Sequence, residues 1–119
     1  MSRIALLTAG LVAALALAAP IGATSSVTKL TGTVGPGFTI TLKKGTAKVK
    51  TLKAGSYKIT VNDKSTIHDF HLTGPGVNKM ITTTPFKGTK TVTVKLKKGT
   101  YRYVCDPHAS VMKGSFKVT

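Results

Sequence analysis

The sequence predicts an all-β fold, a sandwich or barrel of about seven or eight short strands. Three observations predict it. Apolar residues alternate with Thr and Lys in "GFTITLK", "YKITVND", "KTVTVKL" and "GSFKVT", the pattern of antiparallel strands with one buried face. Glycine-marked turns, "VGPG", "KKGT", "KAGS", "LTGPG" and "FKGT", separate such segments. No helical periodicity follows the N-terminal stretch.

That N-terminal stretch stands apart from the rest. "MSRIALLTAGLVAALALAAPIGA" has a basic start at Arg3, an apolar run from Ile4 to Ala19, and small residues up to Ala23. This is the layout of a secretory leader over 1–23, cleaved after Ala23. The run is shorter than the roughly 20 residues of a spanning helix, and Pro20 and Gly22 end it. Export to a periplasmic, cell-envelope or extracellular location is therefore expected, with no transmembrane span in the mature chain. One domain, 24–119, remains, and its length of about 96 residues suffices for a modest core without disulfides.

The strands are expected at 27–34, 37–43, 46–51, 56–62, 66–73, 89–96, 100–105 and 114–119. The core faces are Phe38, Ile40 and Leu42; Tyr57, Ile59 and Val61; Val92, Val94 and Leu96; and Phe116 and Val118. Residues 74–88 pattern weakly and read as an irregular connection. "LKAGSYK" (52–58) matches "LKKGTYR" (96–102), and "LKKGT" recurs at 42–46. We read these as one lysine-flanked glycine turn used repeatedly, since a solenoid repeat keeps a fixed period.

The charge balance excludes some functions. The chain carries +15, or +14 once Arg3 leaves with the leader. Asp63, Asp69 and Asp106 are its only acids, and Arg102 is the only arginine after the leader. Readers of nucleic acid lean on arginine forks, so lysines spread along the whole chain argue against nucleic acid. They suit acidic partners, or an anionic membrane or cell-wall surface.

Cys105 is the only cysteine. An exported chain with one thiol forms no internal disulfide, so the thiol is either buried and inert or occupied. In "TYRYVCDPH", Tyr101, Tyr103 and Cys105 share parity, which turns the thiol inward at the strand's end. His108 and Met112 follow within seven residues. A separate segment, "STIHDFHL", supplies His68 and His71. His68 shares parity with Phe70 and Leu72 and so faces the core, while His71 faces out. Each residue alone has a plain reading: an inert buried Cys, a surface His, a Met filling the core. Their conjunction reads differently. One thiolate, two imidazoles and a weak thioether suit copper in both oxidation states, whereas zinc takes four firm ligands.

These residues resemble the cupredoxins, small blue copper proteins such as plastocyanin, pseudoazurin and amicyanin. "GTYRYVCDPHASVMKGSFKV" looks like their last strand pair, and "HDFHL" like their earlier ligand segment. The resemblance implies a Greek-key sandwich holding one type 1 copper site, with His68, Cys105 and His108 as ligands and Met112 as the axial one. The gap from His108 to Met112 is one residue shorter than in plastocyanin and one longer than in amicyanin. The family's Asn after the first ligand is Asp69 here, which implies altered tuning around the sulfur with the metal retained. Pro107 matches the family and removes a backbone N–H, a feature that goes with a higher potential there. Val104 replaces plastocyanin's surface tyrosine, so an acidic docking mode of that kind is not expected.

The resemblance implies a monomeric one-electron carrier, not an enzyme. Its redox partner is expected to bear an acidic docking surface and to meet the His108 edge among Pro107, Ala109 and Val111. Two rivals use other chemistry: a copper carrier or buffer that hands over the ion, and a metal-free cell-surface binding module.

Overall fold

A computed structural model describes residues 27–119, together with the isolated Gly10. The leader expected at 1–23, and its cleavage point, otherwise lie outside the described residues. The strands are β1 (Thr28–Val34), β2 (Ile40–Lys44), β3 (Ala47–Lys48), β4 (Thr51–Leu52), β5 (Gly55–Asp63), β6 (Phe70–Gly74), β7 (Val77–Thr82), β8 (Gly88–Leu96), β9 (Gly99–Val104) and β10 (Lys113–Val118). They form two five-stranded sheets, in the orders β3-β2-β1-β5-β8 and β4-β10-β9-β6-β7. Pairing is antiparallel except for β1 with β5 and β4 with β10. The expected all-β sandwich is thus the observed fold.

Alternation explains the core. Leu30, Leu42, Ile59, Val61, Val94 and Leu96 point inward from the first sheet, and Leu72, Tyr101, Tyr103, Phe116 and Val118 from the second. Thr and Lys occupy the outer positions, where water solvates them. The aromatic residues are layered. Phe70 stacks on Tyr103 at 5.6 Å and Tyr101 on Phe116 at 5.4 Å between centroids. Gly114 is required beside this layer, because a side chain there would collide with the Tyr103 ring.

Four expectations need correction. Residues 74–88 are not an irregular connection: β7 pairs with β6 through the Pro75–Gly76 turn. It is an edge strand that leaves Asn78 and Lys79 exposed and buries only the adjacent Ile81 and Thr82 at its end, so period-two patterning is faint. The strand expected at 37–43 starts at Ile40, and Phe38 lies outside the core with 60% of its surface exposed. The segment 46–51 divides, with β3 in one sheet and β4 in the other. The strand expected from residue 66 starts at Phe70, with a register shift between Phe70 and His71.

The register defines two ends. The turn after Val34, the loop 64–69 and the loop 105–112 gather at one end, the loop end. At the far end, β1, β5 and β9 begin and β2, β8 and β10 finish.

Candidate metal centre

Cys105 follows β9 at the loop end and is fully buried. Its N–H donates to the Met112 carbonyl (3.0 Å), which closes the loop between them. Inside that loop, Asp106–His108 forms a 3₁₀ turn with Pro107 in its first positions. Proline's fixed φ suits a helical first turn, where its missing N–H costs nothing. The His108 N–H donates to the Cys105 carbonyl (3.0 Å), and the Met112 N–H donates to the His108 carbonyl (2.8 Å). These bonds swing the His108 ring back over the thiol and bury Met112 completely.

His68 comes from the loop before β6 and is also fully buried. Gly35 lets that ring sit close: a Cβ at Gly35 would lie 3.0 Å from His68 Cδ2, and its φ of +73° favours glycine. The Nδ1 atoms of His68 and His108 are 3.1 Å apart, and each is 3.6 Å from the Cys105 Sγ. A point equidistant from the three atoms lies about 2 Å from each, the length of a metal–imidazole bond. His68 Nε2 is buried with no hydrogen-bond partner. The ring is therefore not a core histidine held through both nitrogens. The three donors fit one metal ion between them, and thiolate with imidazole is a copper-favouring set.

The structure brings together His68, Cys105 and His108, and it places Met112 in the same loop. His71 stays apart, on the outer face of β6. The alternation argument put both histidines on the right sides, although His68 itself is not in a strand. Asp69 is also buried, which alternation does not anticipate.

Asp69 ties the two ligand loops together. Its N–H donates to the Cys105 Sγ (3.4 Å), and its carboxylate accepts from the Asp106 N–H (2.7 Å). Burial pushes the Asp69 carboxyl up from its ordinary value, while the Asp106 N–H partly opposes that. Burial likewise pushes the Cys105 thiol up, with the N–H groups of Asp69 and His108 opposing. A bound cation reverses that burden and favours the thiolate. Behind the loop, His71 Nε2 meets the Asn78 Oδ1 (2.6 Å), and its Nδ1 meets the Asp106 carboxylate (3.0 Å). Acceptors on both nitrogens favour the doubly protonated ring, so the His71 pKa is raised, first by Asn78.

Sequence reasoning missed Phe38. Its ring packs edge-on against His68 (5.6 Å) and His108 (4.9 Å). The signal was its place directly after the "GPG" turn, before the strand has begun. Phe38, Ile67 and Val111 are exposed apolar residues on the loops carrying or flanking the ligands.

A two-sheet sandwich with a buried thiol and two converging imidazoles at one end defines the class of small copper-binding β proteins, the cupredoxins. The chain belongs to the plastocyanin/azurin family of copper-binding proteins, whose family model matches residues 34–119. Among solved structures it resembles rusticyanin. One rusticyanin structure is 26% identical, with a TM-score of 0.52 and coverage of 76% of each chain. Reduced rusticyanin is 25% identical, with a TM-score of 0.51, covering 76% of this chain and 78% of that one. A chain of a heme-copper terminal oxidase dimer shares the fold at 22% identity, with a TM-score of 0.54. The match covers 76% of this chain and spans 63% of the oxidase chain. No match was found among curated proteins.

Proposed function

We propose that the protein is an exported one-electron carrier in which His68, Cys105 and His108 hold copper and the Met112 thioether is the weak fourth ligand. The observation that carries this reading is the convergence of three donor atoms, two of them on fully buried residues, beneath a half-exposed His108. Copper, when bound, supplies a centre that cycles between two oxidation states.

The chain's own residues do the rest. The hydrogen-bonded loop and Asp69 hold the donors in place, so little rearranges when charge changes. Buried aromatic and aliphatic side chains exclude water from beneath the thiolate. The exposed edge of His108 is the path for electrons to a partner. Around it, Phe38, Val111, Pro107 and Ala109 are exposed and make a small apolar contact surface, suited to the brief, small interfaces of redox pairs. Lys64 and Lys113, exposed beside the ligand loops, favour a partner with an acidic docking surface. We read the protein as a carrier rather than an enzyme.

The test is addition of Cu(II) to the purified protein. The reading expects an intense visible thiolate-to-copper band at one copper per chain, absent in Cys105→Ser. It also expects the colour to bleach with a reductant and return with an oxidant while the copper stays bound. A colourless complex would overturn the copper–thiolate assignment. Release of copper on reduction would instead favour a protein that hands over the ion.

A further inference from the structure

We propose that the far end of the sandwich docks on an anionic phospholipid surface and leaves the copper end facing away from it. The charge distribution points there. Lys29 lies opposite Lys58 on the paired strands β1 and β5, and Lys95 lies opposite Ser56 on β8 and β5. Lys53 sits in the turn before β5, and Lys97 and Lys98 form the turn before β9. All six lysines are exposed, and all belong to the far end. The three acids all lie at the other end: Asp63 at the close of β5, Asp69 before β6, and Asp106 after Cys105. Among the described residues the one ion pair is His71 with Asp106, so these lysines have no acidic partner within the fold.

Like charges on directly opposed strand positions repel, and an external anionic surface turns that cost into attraction. A groove of about 600 Å³ opens at the same end, with Lys44 and Lys53 among its lining residues beside Leu52 and Tyr57. It gives a negatively charged headgroup a concave seat between cations.

The type of cation favours lipid over another polyanion. The cations are lysines, compact hydrated charges suited to a diffuse anionic layer rather than to shaped, bidentate recognition. Among the described residues no helix is long and apolar enough to cross a membrane. The contact we propose is electrostatic, and salt weakens it.

The test compares two variants of equal net charge. One carries Lys53→Gln, Lys97→Gln and Lys98→Gln; the other carries Lys64→Gln, Lys87→Gln and Lys113→Gln at the copper end. The chain from Thr24 holds both sheets and the whole described core. It is sedimented with vesicles of phosphatidylcholine containing phosphatidylglycerol, and with phosphatidylcholine alone. The full chain is run beside it, so that binding by the apolar run is read separately. The expected result is binding to the anionic vesicles only, lost at high salt. The far-end variant should partition about 100-fold more weakly, and the copper-end variant should bind nearly as the parent does. Acetylation of the bound protein should be slowed at Lys53, Lys97 and Lys98 but not at Lys64 or Lys113. Equal losses in the two variants would overturn the proposal, as would retained binding by the far-end variant. So would failure to bind anionic vesicles by a chain that binds RNA or polyphosphate. No electron transfer enters the assay, so its failure leaves the carrier reading untouched.

Discussion

The two ends of this sandwich are built from the same strands and do opposite things with polarity. At the copper end, loops turn His68, Cys105 and Met112 inward, and the acids gather among a few lysines. At the far end, tight glycine turns turn the lysines outward, and every charged side chain there is positive. The strands supply rigidity and the connections supply chemistry. The copper end needs long loops because donors from separate segments must converge. The far end needs only short turns that present lysine.

The largest effect belongs to the ligands. His68→Gln should abolish the copper–thiolate colour, and His71→Gln should leave it. Visible absorption of the two copper-titrated variants decides this. Bleaching by the His71 change alone would move the site to the outer face of β6.

Next comes the far end's own anchoring. The Tyr101 hydroxyl donates to the Pro75 carbonyl (2.9 Å) and accepts from the Lys97 N–H (2.9 Å), pinning two far-end turns. Tyr101→Phe should cost about 1–2 kcal/mol in urea unfolding without altering the copper spectrum. A changed spectrum would show that the ends are coupled.

A smaller effect is expected at His71, behind the copper loop. Its pKa is raised in the folded protein, so the fold binds this proton more tightly than the unfolded chain does. The stabilisation is full below the ordinary histidine value, near 6.5, and is lost as pH rises through the raised one. His71→Gln should therefore lower stability more at pH 6 than at pH 9, by under about 1 kcal/mol, because Asp106 is well exposed. A deficit independent of pH would mean that packing, not the ion pair, is lost.

The smallest stability change is expected at Phe38. Phe38→Ala should alter unfolding by only about 0.5 kcal/mol, since the ring is largely exposed. It should still lower the reduction potential, because water reaches the His68 and His108 rings. An unchanged potential would reduce Phe38 to a docking residue.

Much of this contrast was legible in the sequence. Strand alternation gave the sandwich and the inward-facing tyrosines of β9, because one buried face imposes a period of two. The loop that carries Cys105, His108 and Met112 was visible because local spacing fixes it. What alternation could not reach were positions off the strands. Phe38 reads as core by parity, yet it precedes β2 and caps the histidines. Asp69 is buried by its bonds to the Cys105 loop, not by a strand face. β7 was hidden because this edge strand buries only the adjacent Ile81 and Thr82, which do not alternate. The separation of charge between the ends required the register, since the lysines are evenly spread along the chain.

An electron carrier requires a copper site that changes oxidation state without changing its ligands. Voltammetry of the copper-loaded protein tests that most directly. One reversible one-electron wave per chain, unchanged over repeated cycles and absent in Cys105→Ser, is the predicted result. An irreversible wave with copper lost on the first reduction would contradict it.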